Sequence, residues 1–391
     1  MGNEKINLNC SMKKIVQSTL LTGFMLVAFH QSFAQAEKAE AEIQQLMRTT
    51  PVVGLSVAVV KDNKVIYNHS FGFKDVEKES PLTNESIFRI ASISKSFTTT
   101  AIMQLVAKEQ ISLDQDVSEL VGFRIRNPKF PNTVITLKML LSHRSSINDS
   151  EGYFSLDAID PAKNPNWEKS YNAYEPNKGY MYCNLNYNLA GSILEKLTGV
   201  RFDKYIQQQI LDPLGLYGGY NVNALDSNLI AKIYEFNKET KGFTLSPNAY
   251  APRTEEISNY TMGRSTPIFS PTGGMKISAN DLAKYMIMHS QLGKYEGGRM
   301  IPKKLSQQMQ AIISEEESYG MALENTTQLI AGKTMIGHTG SAYGLYSILF
   351  FEPKEKIGFI VISNGCDPKT INGINGVLHQ TVNSLYDNLI R

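Results

Sequence analysis

The chain has 391 residues, 42% hydrophobic and 19% charged, with a formal net charge of +2. This is ordinary globular composition, enough for one large domain or two medium ones. It carries no charge block, no low-complexity tract and no internal repeat of about 20–50 residues, which excludes solenoids and propellers, and its three cysteines exclude a small disulfide scaffold.

The first 34 residues read as a secretory signal. Lys13 and Lys14 precede the apolar run Leu20–Phe29, and Ser32-Phe33-Ala34 supplies a cleavage pattern. The run is shorter than the roughly 20 apolar residues that span a bilayer. The expected product is a bacterial periplasmic or secreted protein, residues 35–391, with no stable membrane span. Loss of residues 1–34 removes three lysines and one glutamate and leaves a net charge of 0. A neutral chain argues against nucleic acid as a partner. Cys183 and Cys366 remain, and their spacing demands no disulfide.

Along the exported chain, "VGLSVAVVKDNKVIYNHSFGF" (residues 53–73) predicts a hairpin around Lys61-Asp62-Asn63-Lys64. An apolar helix is expected over 92–107, then helices over 134–141 and 186–198, the latter stopping at Gly199. Ser278 and Asp281 stand in capping-box spacing at the head of another helix. Near the end, "GLYSILFFEPKEKIGFIVISNG" predicts strands at 345–351 and 357–363. From Ile371 to Leu389, apolar residues recur at three- and four-residue steps, a closing amphipathic helix. The expectation is an α/β (α+β) fold, with one antiparallel sheet built from both termini and flanked by helices. Its α/β part covers about 35–91 and 262–391, with a largely helical part, about 92–261, inserted in it. A cleft between such parts is a usual ligand site.

Chemistry-bearing residues fall in three places. In "RIASISKSFTT", Ser92 precedes Lys95 by three residues at a helix entrance. That spacing puts both on one face, beside free backbone N–H groups. A desolvated lysine can act as base for a serine hydroxyl, which is a poor nucleophile alone. Equally, Ser92 can be a helix cap and Lys95 a solvated first-turn residue, and Ser11 to Lys14 repeats the spacing inside the signal. The other two places are Tyr182-Cys183-Asn184, entering a helix, and His338-Thr339-Gly340 at the start of a strand, where glycine admits close approach to the edge. No metal-ligand spacing links the histidines.

In this order the three motifs resemble those of the serine β-lactamase and DD-peptidase superfamily, of which the class A form reads SxxK, SDN and KTG. The Y-x-N form is similar to the branch holding class C β-lactamases, certain DD-carboxypeptidases and related esterases. "LLSHRSSI", "ILDPLGL" and "SPTGGMKISANDLAKY" are also similar to family segments, and the likeness runs from about residue 40 to 391. The resemblance implies Ser92 as acyl-forming nucleophile, Lys95 as its base and Tyr182 as proton relay to the leaving group. It implies that Asn184 orients the substrate amide and Lys95, and that His338, Thr339 and Gly340 face the substrate. Backbone N–H groups of Ser92 and Ser341 would form the oxyanion hole. No cofactor or metal is required. The implied substrate is a small molecule or peptide, namely a D-amino acid peptide, a β-lactam or an ester, acted on by a monomer.

Two departures bear on the substrate. His338 stands where the β-lactamases generally carry lysine, a pattern resembling DD-carboxypeptidases and some esterases. An imidazole anchors a carboxylate less strongly than an ammonium, so an arginine such as Arg264 or Arg253 is expected to help. Cys183 replaces the commoner serine or alanine and is read as small-residue packing. His143 is expected to be structural.

Overall fold

A computed structural model describes residues 34–391; the expected signal, apart from Ala34, lies outside the described residues. Helix α1 (34–49) leads into strand β1 (Val52–Lys61), which turns at Asp62-Asn63 into β2 (Lys64–Asp75) and the short β3 (Ser80–Pro81). The other sheet strands come last: β6 (Glu324–Thr326), β7 (Met335–Ala342), β8 (Leu345–Glu352) and β9 (Ile357–Cys366). Two earlier short strands, β4 (Phe88–Arg89) and β5 (Lys276–Ile277), pair with one another in a separate small sheet.

The seven-stranded sheet runs β6-β7-β8-β9-β1-β2-β3. Its named pairings are antiparallel, and β1 lies directly on β9, Val57 opposite Val361. Near-continuous apolar runs in β1 and β9 mark strands covered on both faces. On one face α1 and α6 (Gly376–Leu389) enclose Leu55, Val57, Phe359 and Val361. On the other, α5 (Ala279–Ser290) packs on the sheet and joins it to a larger apolar cluster. That cluster gathers α2 (Ser94–Ala107), α3 (Leu137–Leu141) and α4 (Asn184–Thr198).

Local chemistry sets the helix limits. Ser278 accepts from Asp281 N to open α5, and Gly199 closes α4 in the left-handed conformation at φ 65°. Two expected starts move: α3 opens at the Thr136 cap, and α6 only at Gly376. There Thr370–Ile371 and Ile374–Asn375 pair as a small hairpin, and Asn375 Oδ1 accepts from Val377 N and Leu378 N. Cys183 and Cys366 are buried, free thiols. Among the described residues no helix is long and apolar enough to cross a membrane, and no cluster of acidic, histidine and cysteine side chains has the make-up of a metal site.

Candidate active site

Helix α2 is buried nearly all round, as suits a helix in the middle of a protein. The chain enters it through a 3-10 turn, Ala91–Ile93, and Ser92 is the middle residue of that turn. Neither the turn nor α2 has a side-chain cap, so Ser92 is not a capping serine. Ala91 holds φ at 46°, a left-handed conformation that costs a residue with a Cβ and persists only where its surroundings impose it. Part of those surroundings is β7, where a Cβ on Gly340 would collide with Ile90 O and Ser347 Oγ. Ser347 Oγ in turn donates to Ile90 O at 2.9 Å. Glycine at 340 therefore lets the third-motif strand press against the Ser92-bearing turn.

Lys95 is fully buried. Its ammonium donates to Ser92 Oγ at 3.1 Å, Asn184 Oδ1 at 3.0 Å and Thr272 O at 3.0 Å, using all three protons. It also sits 4.6 Å from the centre of the Tyr182 ring. Burial pushes its pKa down from 10.5 to about 7, with Asp149 and Cys183 pulling the other way. At neutral pH a large fraction of Lys95 is therefore unprotonated beside Ser92.

Tyr182 and Asn184 converge on the same point. Burial holds the Tyr182 phenol well above its ordinary pKa, although a hydrogen bond with Ser92 opposes this. The group is thus a protonated phenol and not a tyrosinate. Asn184 opens α4, and its Oδ1 receives Thr272 Oγ1 at 2.8 Å as well as Lys95. Asp149 fixes this arrangement. Its carboxylate accepts from Asn184 N (2.8 Å), Asn184 Nδ2 (3.0 Å), Leu185 N (3.0 Å) and the Cys183 thiol (3.2 Å). An acid from a distant loop thereby caps α4, whose own preceding residue offers no side-chain cap. Cys183 is held as a thiol by burial, first of all, and by Asp149.

The third motif divides between two faces of β7. His338 and Gly340 share one face, Thr339 and Ser341 the other. Thr339 and Ser341 remain partly or fully exposed, whereas His338 is buried at 4% exposure. Its Nδ1 donates to Thr339 O and its Nε2 accepts from the Tyr319 hydroxyl at 3.2 Å. Burial, reinforced by the Lys95 charge, lowers its pKa to about 3. It is a neutral, fully bonded imidazole without charge to offer an anion. His143 lies against the Tyr182 ring (4.3 Å between centroids), and its Nδ1 accepts from Cys183 N at 3.1 Å. It supports the motif from behind.

Neither arginine expected to assist reaches Ser92 as a free cation. Arg264 is bound to Asp157 at 2.6 Å and Asp160 at 3.0 Å, and Arg253 to Glu256 at 2.8 Å. Sequence reasoning missed Asp149, Thr272, Tyr319 and Glu324. Thr272 lies in the family-like segment "SPTGGMKIS", which is a usable signal; Asp149, in "NDS", has none. Glu324, on β6 opposite Gly337, is pushed up to about 7 by burial, opposed by a hydrogen bond from the Thr339 backbone.

The Beta-lactamase family model matches residues 39–377. The chain belongs to this family. Among curated relatives, Protein flp of Staphylococcus aureus (strain N315) is 25% identical over 329 residues, 80% of this chain and 60% of that protein. The chain thus spans less than two thirds of that relative's length. Among solved structures, the octameric penicillin-binding protein homologue from Pyrococcus abyssi superimposes with a TM-score of 0.71 at 28% identity, covering 90% of this chain and 77% of its own. The D-amino acid amidase of Ochrobactrum anthropi SV3, in complex with L-phenylalanine amide, gives a TM-score of 0.70 at 20% identity, covering 90% and 99%. The architecture is that of the β-lactamase/transpeptidase fold, as the sequence resemblance implied.

Proposed function

We propose that this chain is an exported serine hydrolase that forms an acyl-enzyme through Ser92 and acts as a D-alanyl-D-alanine carboxypeptidase. The observation that carries the reading is the buried Lys95 ammonium 3.1 Å from Ser92 Oγ, with a pKa near 7. Neutral Lys95 takes the Ser92 proton while Oγ attacks the substrate carbonyl. The backbone N–H groups of Ser92 and Ser341 receive the oxyanion. Tyr182 gives its proton to the departing amine and regains one from the Lys95 ammonium, leaving Ser92 acylated and both groups neutral. Water then attacks the ester with its proton taken through the same pair, which frees the acid product and restores Ser92. Asn184, locked by Asp149, holds Lys95 toward Ser92. Thr339, on the more open face of β7, meets the substrate backbone.

The test is covalent labelling with a fluorescent penicillin together with D-alanine release from a D-Ala-D-Ala peptide. The wild type is expected to do both. Ser92→Ala is expected to lose labelling entirely with a Tm within about 2 °C of wild type, since no cap is removed. Folded wild-type protein that does neither overturns the reading. Penicillin labelling without turnover would indicate a sensing module. A second reading within the same chemistry is an esterase or amidase on small acyl substrates. Neutral His338 favours it, because it leaves β7 without a cation for a terminal carboxylate. Nitrophenyl ester turnover without penicillin labelling would select it over the peptidase.

A further inference from the structure

A second group of cations, one buried and one partly buried, lies on the short sheet that leads into the Ser92 turn, and the acyl chemistry does not use it. Arg89 is three residues before Ser92, on β4, and Lys276 faces it on β5 through the Arg89–Lys276 pairing. Together with Arg253, Tyr343, Phe154 and Tyr220 they line a pocket of about 430 Å³. Lys276 is 6% exposed, and its ammonium has one partner, Tyr220 O at 2.7 Å, which leaves two protons unused. Arg89 donates Nε to Gly273 O at 2.8 Å and Nη1 to Ala249 O at 3.4 Å, its guanidinium lies 5.1 Å from the centre of the Tyr343 ring, and Nη2 has no hydrogen-bond partner among the described residues. Among the described residues neither cation forms an ion pair with a carboxylate. Burial lowers the pKa of both; Arg253 adds to this for both and Arg89 for Lys276, while three tyrosines oppose it for Arg89. The pocket's own acid, Glu256, is taken by Arg253.

Holding an ammonium beside a guanidinium without a counter-ion is costly, and burial with the neighbouring arginines disfavours the Lys276 charge until an anion offsets it. The arrangement suits an anion arriving from outside, because a guanidinium fork beside an ammonium matches the two oxygens of a carboxylate. The pocket is also tied to the site through one backbone segment. Arg89 bonds Gly273 O, and the neighbouring Thr272 O holds Lys95. Tyr343 stands two residues beyond Ser341. Three residues of chain span at most about 10 Å, within the joint reach of an arginine side chain and a five-carbon acyl group.

We propose that Arg89 and Lys276 form an anion subsite that binds a carboxylate on the acyl portion of the substrate, so that the enzyme prefers acyl donors ending in a carboxylate. This rests on the acyl-enzyme reading above.

Hydrolysis of the 4-nitrophenyl half-ester of glutarate is compared with that of 4-nitrophenyl valerate, its neutral counterpart. The wild type is expected to show a kcat/KM at least about tenfold higher for the half-ester in 50 mM salt, and a smaller advantage in 0.5 M sodium chloride as the charges are screened. In Lys276→Met and in Arg89→Gln the ratio of the two esters is expected to fall toward one, whatever happens to the absolute rates. Should either variant fold poorly, the other variant and the salt series on wild type report the same preference. An unchanged ratio in the folded variants, or no preference in wild type, overturns the subsite. If neither ester is turned over, the hydrolase reading fails first. The subsite is then judged by glutarate on Ser92→Ala: a Tm rise that Lys276→Met abolishes supports it, and no rise sinks it.

Discussion

Among the described residues two buried lysines, Lys95 and Lys276, lie within a few residues of the same backbone segment, and their surroundings treat them differently. Lys95 is met by three oxygen acceptors, and Asp149 lies one hydrogen bond further on, through Asn184. Its pKa falls to about 7, where it exchanges a proton readily. Lys276 has one carbonyl and two arginines as neighbours, and burial first of all, together with their charges, drives its pKa well below 10.5, with no carboxylate pulling the other way. Burial alone therefore does not make a base. The acceptors and the distant carboxylate around Lys95 offset enough of the desolvation to leave the group titrating where an enzyme can use it.

The sharpest way to break this contrast is to remove each ammonium in turn. Lys95→Met is expected to lower the rate of acylation by about 10²–10⁴-fold, the usual worth of a general base, read as labelling rate under saturating fluorescent penicillin. Lys276→Met is expected to raise stability, since a buried unpaired cation gives way to an apolar side chain of similar length, by about 1 kcal/mol or more in urea unfolding without added anion. A loss of stability instead would show that the Tyr220 contact matters more than the charge.

Asp149 tests the middle of the comparison. Wild-type kcat/KM is expected to rise with pH through a midpoint near 7 as Lys95 loses its proton. Because Asp149 raises the Lys95 pKa, Asp149→Asn is expected to move that midpoint lower. It should also cost about 1–3 kcal/mol of stability through the N–H groups left poorly bonded. Glu324 titrates in the same range, so Glu324→Gln separates the two: the limb stays if it belongs to Lys95 and goes if it belongs to Glu324.

The effect furthest from the two lysines is on acid stability. His338 and His289 are held neutral by burial with pKa values lowered to about 3, and His143 is likewise lowered well below 6.5. The unfolded chain binds protons at these sites below about 6.5 while the native chain does not. Stability is therefore present above that pH and lost as pH falls toward 3, by up to about 1.4 kcal/mol per pH unit for each histidine. Urea midpoints between pH 4 and 6.5 measure the slope, and a flat profile contradicts it.

Much of this site was legible because its chemistry is local. Ser92 with Lys95, Tyr182 with Asn184 and the His338-Thr339-Gly340 run each sit within one turn or one strand, and the folded chain brings them together around Ser92 and Lys95. What was not legible depends on other segments folding over them. His338 reads as a strand-edge residue, yet Tyr319 from a preceding loop covers it. Asp149 caps a helix that begins 35 residues later in the chain. Ser92 looks like a cap because serine at a helix entrance usually is one, and only the intervening 3-10 turn reassigns it. The hairpins and the core of each long helix followed from periodicity. The starts of α3 and α6 did not, because Thr136 and Asn375 choose them through one and two side-chain hydrogen bonds.

The direct pairing of β1 with β9 has a consequence for how the protein comes into being. The central pair of the sheet joins segments about 300 residues apart, so its closure is a long-range event of the kind that slows folding. Ribosomal synthesis delivers Ser92, Lys95, Tyr182 and Asn184 well before β7 and β9 exist. A nascent chain carries these side chains but not the strand that presses on the Ser92 turn, and so the candidate site is complete only when the last strands dock.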